Sequence, residues 1–418
     1  MMRKINQQDV LLGLVFLLFP IAHYKITVVG LPVYYSEIPL LTFIGFSFWK
    51  KYWTRIDWQS EWQRNKTFLI GLILFLIGAT SSFFMNEQTM TGLGMLKSFF
   101  FLPVLLASVL IIARVQRNAL EQILWMWLAG LATVAWTSLI IASKGWLMYD
   151  GRLMGFYESP NYLAMLVAPG LLLSLYFFLT IRNTSIRWGL GFFSIILLLT
   201  LVLTQSYGAV VSLGFSISLF LYFIKNVIVF SLKKIVPFFC VCLFVSGVFL
   251  WSSEKFQTLF HNTERSSLIS RQMIWHAAWK IGLDNPIIGI GVGNFQNEYL
   301  AYQKYFPSYL EWAVPQPHNL YIAFWLQAGI VGLGGFLIII CNLLWRWHLS
   351  WKQKNLSQKE KFLGVLGLSL LVYYLIYGLI DTPYFKNDLS FALWGVIGFL
   401  SQWTKLFPSK DVDYNSSR

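Results

Sequence analysis

His318 is the residue best suited to move a proton in this chain. It follows Pro315 and Pro317, which stiffen the backbone around it, and it stands where a long, partly polar stretch gives way to an apolar run beginning at Leu320. A neutral imidazole can take a proton from a hydroxyl in a transition state, the usual work of a general base. The plainer alternative is an interfacial histidine that caps a helix or bonds a backbone carbonyl. His23 and His348 read as helix-end residues, and His261 and His276 are weaker candidates in the same polar stretch. Arg152, Arg265 and Arg271 could share a surface with His318. A guanidinium grips phosphate oxygens through two parallel hydrogen bonds, so these residues suit a lipid diphosphate. Against that stands simple head-group contact or ion pairing, with Asp150 and Glu158 near Arg152 and Glu264 beside Arg265.

Gly289-Ile290-Gly291-Val292-Gly293 invites a phosphate-loop reading, but it follows Pro286, lacks a preceding strand and has no Lys-Ser/Thr after it. Close packing of a loop on a helix explains these glycines better. The carboxylates Asp150, Glu158, Glu254, Glu264, Asp284, Glu298, Glu311, Asp381 and Asp388 show no Asp-x-Asp or His-x-x-x-His spacing, so no metal site and no cofactor is read from them. Charge on an anionic leaving group would fall to Arg and Lys. Cys240, Cys242 and Cys341 lie in apolar stretches and read as packing residues, not as a disulfide framework.

The elements that must position these groups are membrane helices. With 57% hydrophobic and only 12% charged residues over 418 positions, the composition excludes an ordinary soluble globule. Apolar windows long enough to span fall at 10–30, 33–49, 67–85, 93–113, 119–143, 161–181, 188–204, 208–224, 235–251, 318–345, 362–380 and 389–404, about twelve helices in all. The expected fold is therefore an all-α polytopic membrane protein, a single transmembrane domain over 1–418. Arg3 and Lys4 before the first window resemble the start of a signal peptide, but no small-x-small site follows, so this segment is read as a retained first helix.

The net charge of +14 is read as loop charge facing lipid head groups and setting topology, not as a nucleic-acid surface. With the N-terminus cytoplasmic, the inner side carries most of the Lys and Arg, among them Lys50, Lys51, Arg64, Arg117, Arg182, Arg346, Lys359 and Lys405. That bias supports N-in and C-in and leaves 252–317 as one large extracytoplasmic loop. A connection of this length usually carries function. Within it Leu268, Ile269, Met273, Trp275, Ala278 and Trp279 set one apolar face and Arg271, Gln272 and Lys280 stay polar, the pattern of an amphipathic helix at a membrane surface.

Five pieces together resemble the O-antigen ligase and O-antigen polymerase superfamily of bacterial membrane glycosyltransferases. They are Arg152 to Phe156 with Ser159-Pro160-Asn161; Thr204 to Ala209; Arg271 with Trp275 and Trp279; Asn285-Pro286 with the glycine run to Phe295; and Pro317-His318-Asn319-Leu320-Tyr321 followed by Gly329 to Gly332. The resemblance covers roughly 150–335. It implies a GT-C-like fold and a glycan donor on undecaprenyl diphosphate, transferred with inversion and without metal to an acceptor hydroxyl such as lipid A-core. It further implies that His318 is the base, that Arg271 binds the diphosphate, that Arg152 is a phosphate or sugar contact, and that Asn319, Asn161 and Trp275 position the site. Many members have Arg where this chain has Tyr207. Tyr lacks the permanent charge and the fork of donors, so Arg152, Arg265 or Lys144 would have to compensate, or the donor would bind differently.

The reading is a ligase in the inner (cytoplasmic) membrane of a bacterium, acting on its periplasmic or extracellular face, with the lipid bilayer, the lipid-linked glycan and the hydroxyl acceptor as its partners. A polysaccharide polymerase or a protein O-oligosaccharyltransferase of the same superfamily differs only in acceptor. A polysaccharide or lipid transporter would instead show paired broken helices in two related halves and charged residues near the bilayer midplane, and neither is evident.

Overall fold

The computed structural model describes residues 7–51, 54, 56–86, 89–112, 117–225, 267–306, 314–353 and 355–408. It is an all-α polytopic membrane protein. Its long helices are α3 (Trp58–Met85), α4 (Met90–Ile112), α5 (Arg117–Ser143), α6 (Pro160–Thr180), α7 (Thr184–Thr204), α8 (Tyr207–Ile224), α11 (Leu320–Trp351), α12 (Gln358–Ile380) and α13 (Asn387–Leu406). Among the described residues, 8 helices are long and apolar enough to cross a membrane. α13 is not among them, although its 20 residues are almost wholly buried against the other helices. The window at 235–251 lies outside the described residues.

The first two windows do not form two spanning helices. α1 (Gln7–Leu17) and α2 (Ile38–Trp49) have 11 and 12 described residues, about 17 and 18 Å at 1.5 Å per residue, well short of a hydrocarbon core of about 30 Å. Between them runs an antiparallel hairpin, β1 (Lys25–Val28) and β2 (Leu31–Tyr34), paired from Lys25–Tyr34 to Val28–Leu31. Hydropathy counted this stretch as helix. Pro20 and Pro32, the β-branched run Ile26-Thr27-Val28-Val29 and Gly30 explain why it is not: Pro breaks helix interiors and β-branched residues suit strands.

α3 and α11 pack closely because small residues face each other. A Cβ added at Gly335 would sit 2.4 Å from the Phe75 amide nitrogen and 2.6 Å from the Gly71 carbonyl oxygen. Replacing Gly335 by Leu should force the pair apart, costing at least about 1–3 kcal/mol, seen as a lower melting temperature of the detergent-purified protein; an unchanged melt would contradict this packing.

The helix ends sort into two groups. At one end, Lys405 Nζ meets Glu61 Oε2 at 2.7 Å, Arg346 Nη1 donates to Asn65 Oδ1 at 2.8 Å and Arg117 Nη1 meets Glu360 Oε1 at 2.8 Å. These pairs tie the starts of α3, α5 and α12 to the ends of α11 and α13. The opposite end gathers the starts of α4, α6, α8, α11 and α13 and the ends of α3, α5, α7 and α12. The candidate site is there.

Candidate active site

Asp381, the first residue after α12, is the centre around which the site is organised. Its buried carboxylate takes His318 Nδ1 on Oδ1 at 2.7 Å and the Thr382 amide on the same oxygen at 2.8 Å. Oδ2 accepts Arg271 Nη2 at 3.3 Å and Asn161 Nδ2 at 3.2 Å. Four groups from four parts of the chain therefore converge on one acid. Burial by itself pushes the Asp381 carboxyl up; the charge and hydrogen bond of His318, then Arg271 and the Thr382 amide, outweigh it and hold the group at about 2, below its ordinary 3.8. An ionised carboxylate only accepts hydrogen bonds, so Nδ1 of His318 carries the hydrogen. In the neutral ring Nε2 is then the atom with a free lone pair.

His318 is held from both sides. Its carbonyl accepts the indole N–H of Trp275 at 3.1 Å, and its backbone sits in the left-handed region at φ 50. That conformation is costly for a residue with a Cβ and recurs at functional sites. The imidazole keeps 31% of its side-chain surface exposed. Asn319 next to it is engaged in capping. Its Oδ1 accepts the amides of Tyr321 and Ile322 at 3.0 Å and its Nδ2 donates to the Leu379 carbonyl at 3.1 Å. Asn319 thus fixes the start of α11 on α12 and thereby the His318 backbone.

Arg271 and Trp275 lie one turn apart on α9 (Ser267–Asp284), which puts both on one helix face. The glycine run dock this helix. Ile290 N donates to the Leu326 carbonyl at 2.7 Å, Gly291 N to Ser82 Oγ at 3.0 Å and Gly293 N to Gln327 Oε1 at 3.1 Å. A Cβ at Gly289, whose φ is 79, would meet the Leu326 oxygen at 2.3 Å. These glycines pack a loop onto α11 and α3. A short helix, α10 (Phe295–Tyr302), follows.

Arg152 is paired with Asp150 at 2.6 Å, the local ion pair its sequence neighbours suggested. Its loop is nonetheless tied to the site, because the Leu153 amide donates to the Leu203 carbonyl at 3.0 Å. Two residues further on, Gln205 also has positive φ (48), and Ser206 Oγ lies 2.9 Å from the Tyr377 hydroxyl. Arg152 and Arg271 both sit near enough to act electrostatically on that hydroxyl. Tyr207 opens α8 beside Ser206, partly buried, and so borders the same region. Lys144 is exposed at the end of α5. Arg265 lies outside the described residues.

Sequence reasoning named Asp381 only among scattered carboxylates. The missed signal is an acid placed directly after the long apolar run of α12, since ionisable residues at membrane depth are costly and tend to be functional. Among the described residues no group of three or more His, Cys, Asp or Glu gathers as metal ligands would.

Residues 192–337, from α7 to the middle of α11, match a family model described as O-antigen ligase. That stretch holds His318, Asn319, Arg271, Trp275 and Tyr207 and leaves out Asp381, Asn161 and Arg152. No curated protein matches the chain.

Proposed function

Since the chain carries an O-antigen ligase domain over residues 192–337, we propose that it transfers a glycan from undecaprenyl diphosphate to an acceptor hydroxyl, with His318 as base. The observation that carries this reading is the convergence of His318, Arg271 and Asn161 on the Asp381 carboxylate. The acceptor oxygen attacks the anomeric carbon of the donor sugar from the face opposite the diphosphate. The carbon–oxygen bond to the diphosphate breaks and its electron pair leaves with the phosphate. The hydroxyl proton passes to His318 Nε2, while Nδ1–H stays on Asp381, which stabilises the imidazolium that forms. Attack opposite the leaving group inverts the anomeric centre.

Arg271 spans the two jobs. One nitrogen is engaged by Asp381, and a guanidinium has further donors for the departing phosphate oxygens. Arg152, whose loop is tied to the end of α7 through Leu153 and Leu203, is the cation that would compensate for Tyr207 in this reading. The loop 252–317, with α9, belongs to the active site, and the site faces outward from the cytoplasmic membrane of a bacterium with both termini inside, as the loop charge bias supports. Charge on the diphosphate is met by guanidinium groups in place of a metal.

The test is reconstitution of the purified protein in lipid nanodiscs with an undecaprenyl-diphosphate-linked glycan and, in turn, lipid A-core, a second lipid-linked glycan and a Ser/Thr peptide. Transfer to one of them with inversion supports the reading and names the acceptor class; no transfer to any overturns it. Trp275→Phe, which removes the hydrogen bond to the His318 carbonyl and part of the ring, should slow transfer at least roughly two- to tenfold, the value of one net hydrogen bond of about 0.5–1.5 kcal/mol. A wild-type rate would mean that the indole does not position the base.

A further inference from the structure

A cavity of about 490 Å³ opens at the same end of the bundle as His318, between the β1–β2 hairpin, the start of α4, the segment before α6 and the segment leading into α13. Its volume is in the range of pockets that hold small organic ligands. His23, Lys25, Phe156, Glu158, Lys386 and Asp388 line it. None of them belongs to the cluster on Asp381.

The walls are built, not incidental. Lys97 Nζ binds Glu37 Oε2 at 2.6 Å, and Asn387 Nδ2 donates to Glu37 Oε1 at 3.0 Å. These contacts join the base of the hairpin to α4 and α13. The Tyr157 hydroxyl donates to the buried Asp388 carboxylate. The rings of His23 and Phe156, both in the lining, stack at 5.0 Å with 17° between planes, so His23 covers one face of Phe156 and backs it, and Phe156 stays 37% exposed. Lys386 Nζ meets Glu158 Oε2 at 2.8 Å.

This lining selects for a class of ligand. A flat aromatic face receives the C–H side of a sugar ring, while carboxylates accept and ammonium groups donate hydrogen bonds to hydroxyls. An anion such as a diphosphate would meet the carboxylates of Glu158 and Asp388; a saccharide uses them. The cavity also adjoins the reacting groups. Glu158 is three residues from Asn161, so their Cα atoms are at most about 11 Å apart, and Asn161 donates to Asp381.

We propose that this cavity is a saccharide subsite, holding a sugar unit of one of the two glycan substrates while the reacting end of that glycan lies at His318. The proposal rests on the glycan-transfer reading and deepens it.

The experiment has two arms. In the first, transfer by the nanodisc-reconstituted protein is measured while donor and acceptor are varied separately, for wild type, for Phe156→Ala/Glu158→Gln, and for Thr91→Trp, which fills the cavity from its exposed wall and removes none of the polar partners. Both variants should raise KM about tenfold for one glycan and not for the other. A rise for the acceptor assigns an acceptor subsite and a rise for the donor a donor subsite. A misfolded fraction would lower kcat and leave KM alone, so wild-type KM for both substrates in both variants overturns the proposal.

In the second arm, saturation-transfer NMR reads binding of the oligosaccharide freed from its lipid diphosphate, and separately of delipidated acceptor glycan, to His318→Ala protein. Saturation should reach one of them and be lost in His318→Ala/Thr91→Trp. Saturation of neither, or saturation that persists with the cavity filled, overturns the subsite. Because this arm needs no turnover, it decides the cavity even if the wild-type protein transfers nothing and the functional reading fails.

Discussion

His318→Ala should reduce glycan transfer by about 100- to 10,000-fold, the usual contribution of a positioned general base, with the helical fold intact. The side chain is partly exposed, and among the described residues its side-chain hydrogen bond is to Asp381. With the ring gone, Asp381 still has Arg271, Asn161 and the Thr382 amide as donors, so no buried charge is orphaned and the packing around α11 and α12 is unchanged. The backbone at φ 50 is no easier for Ala than for His, so the melting temperature should stay within a few degrees of wild type. Transfer at the wild-type rate would remove His318 as the base.

Asp381→Asn is the second large effect. The amide keeps the size of the carboxyl and removes its charge, so Arg271 loses its counter-ion and His318 loses the acceptor that fixes the hydrogen on Nδ1. Breaking a buried pair in this way costs about 3–5 kcal/mol. Transfer should fall over the same range as for His318→Ala, because a base in the wrong tautomer is no base.

Stability should report the charge separately. The folded carboxyl titrates at about 2, below the ordinary 3.8, so a depressed pKa contributes stability that is complete above about pH 4 and fades as the pH falls toward 2. The gap in melting temperature between wild type and Asp381→Asn should therefore be widest at neutral pH and close across that acid window. A gap independent of pH would mean that the carboxylate does not stabilise the fold through its charge.

The membrane helices were readable because hydropathy and length report burial in lipid directly, and from the third window onward the described helices follow the apolar runs. The hairpin was not, since a hydropathy window counts Ile26, Val28, Val29 and Leu31 as it would helical residues and ignores the Pro and β-branched pattern around them. A helix does form in the long loop, but the stripe it packs is Ile274, Ala277, Ala278 and Ile281, not the face read from Leu268, Met273, Trp275 and Trp279, and the ring of Trp279 is half exposed, edge-on to Trp325.

In the site, residue type and resemblance singled out His318, Arg271, Asn161 and Trp275, and the structure brings these together. Asp381 could not be found by spacing: it lies 63 positions from His318, 110 from Arg271 and 220 from Asn161, so only the bundle makes them neighbours. The same holds for the cavity, whose hairpin and α13 walls meet through contacts about 350 positions apart.

A double-mutant cycle on the transfer rate shows whether His318 and Asp381 work as one unit in transfer. If they do, the loss in His318→Ala/Asp381→Asn falls well short of the product of the two single losses, because what Asp381 does through the imidazole is already gone and only its hold on Arg271 and Asn161 is left to lose. Losses that multiply, each variant contributing its full factor in the double, would mean that the imidazole and the carboxylate act independently.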